Sequence, residues 1–161
     1  MEFSIRTMQL SDIQHVQHVA KTSWNATYDG LIPVESQEKF LKSVYNDEMM
    51  LRRLDRSMLY VAELKGKIVG FANFSFVKED GKVELVAIYI DPEHQGNGIG
   101  SVLLKEGISL SQGAKEVFLN VKKDNLIGRQ FYDAKKFEVI EEFDDDFDGH
   151  ILKTVRMVLK L

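Results

Sequence analysis

Apolar residues recur along the chain at two spacings, and these divide it into elements. Phe3, Ile5 and Thr7 alternate as a short first strand. Ser11 then precedes Ile13, Val16, Val19, Ala20 and Trp24, a helical stripe for which Ser11 is the expected cap. The pattern breaks between residues 25 and 33. Phe40, Leu41, Val44 and Tyr45 restart a helical face that runs, with interruption, toward Arg53. Three strand-like runs follow at 58–64, 68–77 and 83–90. The joins Lys65-Gly66-Lys67 and Glu79-Asp80-Gly81-Lys82 are short, which makes these runs antiparallel neighbours. A helix is predicted from about residue 98 to 112 and a strand over 117–121. A shorter helix is predicted over 126–135, then strands over 137–143 and 151–159 around the acidic loop Asp144-Asp145-Asp146-Phe147-Asp148-Gly149. Strands and helices mix without strict alternation, so the expected class is α+β.

Composition narrows the reading. The chain has 161 residues, 44% hydrophobic and 29% charged, with no repeat or Pro/Gly/Ser linker, which suits one domain over residues 1–161. A net charge of -4 argues against a nucleic-acid partner, because phosphate neutralisation needs a basic face. The lack of cysteine excludes a thiol nucleophile, a disulfide framework and a thiolate metal site. The opening MEFSIRTMQL has neither a basic nor an apolar leader region, and no apolar run approaches the roughly 18–20 residues of a membrane span. A cytoplasmic protein with no membrane partner is expected.

The segment Gln95-Gly96-Asn97-Gly98-Ile99-Gly100-Ser101 carries the most chemical information. Glycines at 96, 98 and 100 strip side chains from a turn that opens a helix. Bare N–H groups and the positive end of the helix dipole then suit a phosphate or pyrophosphate without any lysine. A nucleotide-hydrolysing loop would end in Gly-Lys-Ser/Thr, and here the helix opens Gly100-Ser101-Val102. A dinucleotide fold would place its glycines after a first parallel strand and an acidic residue at the end of the next, where this chain has Asn120-Val121.

Residues 95–100 resemble the Gln/Arg-x-x-Gly-x-Gly/Ala motif of the GNAT superfamily of N-acetyltransferases. The preceding strand, the following strand and Asn125 with Phe131-Tyr132 resemble the rest of that family's cofactor site in order. The resemblance implies a mixed, mostly antiparallel sheet of about seven strands with about four helices, and acetyl-CoA as co-substrate. It implies that Ile88, Tyr89 and Ile90 pair with the pantetheine arm. Gln95, Gly96, Asn97, Gly98, Ile99, Gly100 and Ser101 would hold the pyrophosphate. Asn125 would bind the cofactor from the second half of the site, with Tyr132 near the sulfur. Two departures stand out: Gly128 where the family often has Ala, and Lys136 where it often has Gly before the aromatic.

Acetyl transfer to an amine needs a free lone pair, yet a primary alkylamine with a pKa of about 10.4 is mostly protonated near neutrality. Glu84, on the strand before the turn, is the candidate base, directly or through water, and a candidate acceptor contact. Tyr132 is the candidate donor to the departing thiolate. No Ser/His/Asp arrangement is recognisable, so direct attack in a ternary complex is expected. His15, His18, His94 and His150 are scattered and no metal is expected. The segment around Ser23-Trp24-Asn25-Ala26-Thr27-Tyr28 is similar to a bacterial group that includes spermine/spermidine acetyltransferases, and this makes Tyr28 and Asp29 candidate acceptor contacts. A polyamine would also gain from the acidic run at 144–148. The alternatives are a protein lysine or N-terminal acetyltransferase and a non-catalytic acetyl-CoA sensor. A homodimer is left open.

Overall fold

The computed structural model describes residues 2–161. Its elements in chain order are β1 (Ser4–Thr7), α1 (Ile13–Tyr28), α2 (Val34–Val44), α3 (Asp47–Arg56), β2 (Ser57–Leu64), β3 (Lys67–Ser75), β4 (Lys82–Ile90), α4 (Ile99–Leu110), β5 (Glu116–Lys122), α5 (Leu126–Ala134), β6 (Glu138–Phe147) and β7 (His150–Lys160). The seven strands form one sheet in the order β1-β2-β3-β4-β5-β7-β6. Every neighbouring pair is antiparallel except β4 and β5. This is the α+β architecture expected, with five α-helices where about four were expected. No helix among the described residues is long and apolar enough to cross a membrane.

The sheet buries both faces. Phe74, Leu103, Leu119 and Met157 lie in the core on the α4 side, whereas Val16, Met50, Val61 and Phe71 lie in the core on the α1 and α3 side. A bulge in β4 adjusts which residues face which core. Asn73 is opposite Ala87 and Phe74 is opposite Leu85, so Val86 has no partner in register. Leu85 therefore packs in one core and Ala87 in the other, although the two are separated by the usual same-face spacing.

Three details differ from the sequence reading. Ser11 does not cap α1; it lies exposed in a short 3-10 turn at Leu10–Asp12, and buried Asp12 does the organising. The Asp12 carboxylate accepts from the Gln9 N–H at 2.8 Å and from Arg6 at 2.7 and 2.9 Å, and the Arg6 bonds hold its pKa below the usual carboxylate range. The interrupted second helix is two helices, because Asn46 caps α3 by accepting from the Met49 N–H at 2.9 Å. Finally, the acidic run is not a loop. β6 continues through Asp144, Asp145 and Asp146 to Phe147, and only Asp148-Gly149 turns. Both turn residues have positive φ, 51° and 83°, the two-residue geometry that Asp-Gly favours between strands.

Candidate functional site

The site originates where the sheet splits. β4 and β5 pair only from Lys82 opposite Glu116 to Glu84 opposite Phe118. Beyond that point β4 pairs with β3 alone and β5 with β7 alone, so two strand edges face each other with their backbone groups free. A cavity of about 960 Å³ opens in the cleft.

One end is formed by the glycine turn. Gly96 and Gly98 have φ of 81° and 80°, and a Cβ on either would meet nothing within 4 Å. Torsion, not space, calls for glycine at these two positions. The first helical bond into α4 runs from the Val102 N–H to the Gly98 carbonyl at 3.1 Å. The N–H groups of residues 95–101 have no acceptor among the described residues. The side chains of the turn hold its shape: Asn97 donates to the His94 carbonyl at 3.2 Å and Gln95 to the Ile90 carbonyl at 3.4 Å. Ile99, 1% exposed, anchors the helix start in the core. The result is a cluster of aligned, unpartnered amides at the dipole-positive end of a helix.

The two departures from the family pattern are both accommodated. Asn125 caps α5 by accepting from the Gly128 N–H at 3.0 Å, and a Cβ at 128 would come within 2.7 Å of the Asn125 amide nitrogen. Glycine at 128 lets that side chain fold back. Lys136 takes φ of 74°, so the turn keeps the left-handed conformation that glycine would adopt there.

Tyr132 lines the cavity from α5, with its ring centroid 5.4 Å from that of Phe131 and 5.6 Å from that of Phe137. Burial pushes its hydroxyl pKa well above the usual phenol value, and the neighbouring Tyr89 and Tyr28 push in the same direction. The hydroxyl has no hydrogen-bond partner among the described residues. Tyr89 is likewise raised by burial, with its oxygen accepting from the Trp24 indole N–H at 2.9 Å.

The other end of the cavity is aromatic. Trp24 and Tyr28 of α1, Phe40 of α2 and Phe147 of β6 line it. The Trp24 ring lies 4.2 Å from Phe40, 4.5 Å from Tyr28 and 5.8 Å from Phe147 between centroids. The β6–β7 turn is fastened over this end by Asp148, which accepts from Ser36 at 2.8 Å and pairs with Lys39 at 3.3 Å. Asp145 also lines the cavity and pairs with Lys122 at 2.6 Å. Asp144 instead pairs with Lys153, and Asp146 accepts from the Gly149 N–H.

Of the residues expected from the sequence, Ile88, Tyr89, Ile90, Gln95, Gly96, Gly98, Ile99, Gly100, Ser101, Asn125, Tyr132 and Tyr28 line this one cavity. Asn97, Asp29 and Glu84 are not in its lining. Asp29 is exposed at the α1 C-cap. Glu84 is half-buried at the last paired position before the split, where its N–H donates to the Ser75 hydroxyl at 2.8 Å. Sequence reasoning missed Phe40, Phe147 and Lys122 as lining residues, and it read Trp24 as part of a packing stripe and of the segment similar to spermine/spermidine acetyltransferases, without naming it as a site residue. Phe147 and Lys122 come together through the β5-β7-β6 pairing, which no local signal announces.

A sheet parted at its one parallel pair, with bare amides at one end of the gap and aromatic rings at the other, is the arrangement of an acyltransferase that binds a diphosphate-bearing donor. Residues 19–137 match the acetyltransferase (GNAT) family, and the chain belongs to it. The protein is thus an acetyl-CoA-dependent N-acetyltransferase. Among characterised relatives it is similar to the spermidine N(1)-acetyltransferase of Thermoplasma acidophilum, 30% identical over 155 residues that span 91% of this chain and 95% of that protein. It is also 30% identical over 159 residues to an uncharacterised N-acetyltransferase, YuaI, of Bacillus subtilis, covering 94% and 90%. The crystal structure of the PaiA N-acetyltransferase of Thermoplasma acidophilum in complex with coenzyme A superposes with a TM-score of 0.86 at 27% identity, over 100% of both chains.

Proposed function

We propose that the protein acetylates a primary amine of a small cationic molecule by direct attack in a ternary complex, with a polyamine such as spermidine or spermine as the leading acceptor. The observation that carries this reading is one cavity with two unlike ends, unpartnered amides at one and aromatic rings with Asp145 at the other. The amides of residues 95–101 suit the pyrophosphate of acetyl-CoA, and the free β4 edge at Ile88, Tyr89 and Ile90 suits its pantetheine amides. Asn125, at the N-cap of α5, supports the donor from the β5 side of the cleft. Bound acetyl-CoA supplies a thioester carbonyl and a thiolate leaving group with a pKa of about 8.5.

The chain's own residues then have separable tasks. Tyr132, kept neutral by burial, donates a hydrogen bond to the developing thiolate. Glu84 takes the ammonium proton through water, since its carboxylate is one residue from the split and outside the lining. Tyr28 contacts the acceptor; Asp29, exposed and outside the lining, is assigned no contact. Three features support a cationic acceptor: the net charge of -4, ring faces that attract ammonium groups, and the similarity to a spermidine acetyltransferase.

Thiol release from acetyl-CoA is measured with spermidine, spermine, diaminoalkanes, a lysine peptide and a peptide with a free N-terminus. Turnover concentrated on the polyamines is the expected result. Turnover of the peptides alone would move the assignment to a protein acetyltransferase. Saturable acetyl-CoA binding without turnover of any amine would leave a sensor.

A further inference from the structure

The cavity holds a positive charge of its own, and its surroundings are those an acceptor's ammonium would use. Lys122 Nζ lies 2.6 Å from Asp145 Oδ2, 3.5 Å from Thr154 Oγ1 and 5.6 Å from the centroid of the Phe147 ring. One carboxylate, one hydroxyl and one ring face form a complete ammonium environment. Lys122, Asp145, Phe147 and Thr154 all line the cavity that contains Tyr132. The remaining carboxylates of the acidic run are engaged elsewhere: Asp144 by Lys153, Asp146 by the Gly149 N–H, and Asp148 by Ser36 and Lys39. Asp145 is thus the member of the run that faces an acceptor. Its side chain is 43% exposed, so the ion pair is partly screened and exchangeable, while Lys122 is 18% exposed.

We propose that Asp145 and Phe147 form a docking point for the second ammonium of a di- or polyamine, and that Lys122 holds this point in the free protein and competes with the acceptor for it. This rests on the reading of the aromatic end as an amine site and names the residues that distinguish a polycation from a monoamine there. Lys122 is accordingly a specificity-determining residue that weakens polyamine binding, and Asp145 is one that strengthens it.

The test compares the KM for spermidine with that for butylamine in the wild-type protein and in Lys122→Met, Asp145→Asn and Lys123→Met. Methionine keeps the apolar stem of the lysine, and asparagine keeps the shape of the aspartate. Lys123→Met removes the same charge from the neighbouring residue, whose partner Glu142 lies outside the cavity lining. Lys122→Met is expected to lower the spermidine-to-butylamine KM ratio on the order of two- to fivefold, the range set by losing a competing, partly exposed ion pair. Asp145→Asn is expected to raise the ratio, and Lys123→Met to shift it less than twofold. An unchanged ratio in Lys122→Met, or an equal shift in Lys123→Met, overturns the proposal.

Calorimetric titration of the same proteins with spermidine and butylamine, in the presence of desulfo-CoA, reads the docking point without turnover. Preferential spermidine binding that tightens in Lys122→Met but is never followed by acetylation would overturn the acceptor assignment and keep the docking point. Acetylation of spermidine with an unmoved ratio would do the reverse. Absence of spermidine binding in both wild type and Lys122→Met overturns the docking point.

Discussion

Tyr132 is surrounded by rings and has no acceptor for its hydroxyl among the described residues, so burial keeps the phenol neutral beyond the ordinary titration range. That sets both its proposed role and the way to test it. Tyr132→Phe removes one donor without changing the packing volume, and kcat is expected to fall at least about tenfold with a smaller change in the KM for acetyl-CoA. Because the pKa is raised, the pH profile of wild-type kcat should show no phenol inflection below about pH 10. An unchanged kcat in the variant would remove the role. Lys136 poses a different question at the same scale. Its φ of 74° strains a side-chain-bearing residue, whereas glycine takes that conformation freely. Lys136→Gly is expected to stabilise the protein by about 0.5–1 kcal/mol, net of the greater entropy glycine has in the unfolded chain, and thermal denaturation should show a rise of about 1–4 °C. The sequence flags this position only because the family pattern places glycine there; nothing local reveals that lysine keeps the glycine geometry.

At the scale of elements, what could be read in advance was what neighbouring residues determine. The glycine turn, the hairpins joining β2, β3 and β4, and the helix that follows the turn are each encoded within a dozen residues, and they appear where expected. β6 was read too short because its last residues, Asp144 to Phe147, lack an apolar pattern. It is an edge strand whose Asp145 and Asp144 pair with Lys122 of β5 and Lys153 of β7, and such pairing is visible only once the sheet is assembled. The split between α2 and α3 was legible in Asn46-Asp47-Glu48, a cap followed by an acidic first turn, but the apolar stripe across it masked the break. The cradle gives the sharpest prediction at this scale. Gly98→Ala meets no atom within 4 Å, so the variant folds, yet it forces alanine into φ near 80° at a cost of about 1 kcal/mol. The turn relaxes away from the geometry that aligns its amides. The KM for acetyl-CoA should rise on the order of tenfold while the KM for the acceptor moves much less, a contrast read from steady-state kinetics with each substrate varied in turn.

For the molecule as a whole, the cavity exists because one sheet is joined at its centre by three register pairs and otherwise parts, and the rings that fill the gap come from both halves of the chain. The glycine turn is legible in the sequence because its residues are contiguous, but the aromatic end depends on α1, α2 and the β6–β7 hairpin converging, a long-range fact. This construction leaves the protein with an alkaline weakness. All five tyrosines, Tyr28, Tyr45, Tyr60, Tyr89 and Tyr132, have pKa values raised by burial as the leading cause. In the unfolded chain they titrate near pH 10. As pH passes that value the unfolded state releases protons that the folded state retains, so folding stability is intact below about pH 10 and declines above it. The decline approaches about 1.4 kcal/mol per pH unit for each tyrosine still protonated in the fold. Tyrosinate absorbance near 295 nm is therefore expected to stay flat past pH 10 and then to rise in one cooperative step together with the loss of far-UV circular dichroism. Gradual tyrosinate formation centred at pH 10, with the dichroism intact, would show that the rings around the cavity are open to solvent and would contradict the buried aromatic site.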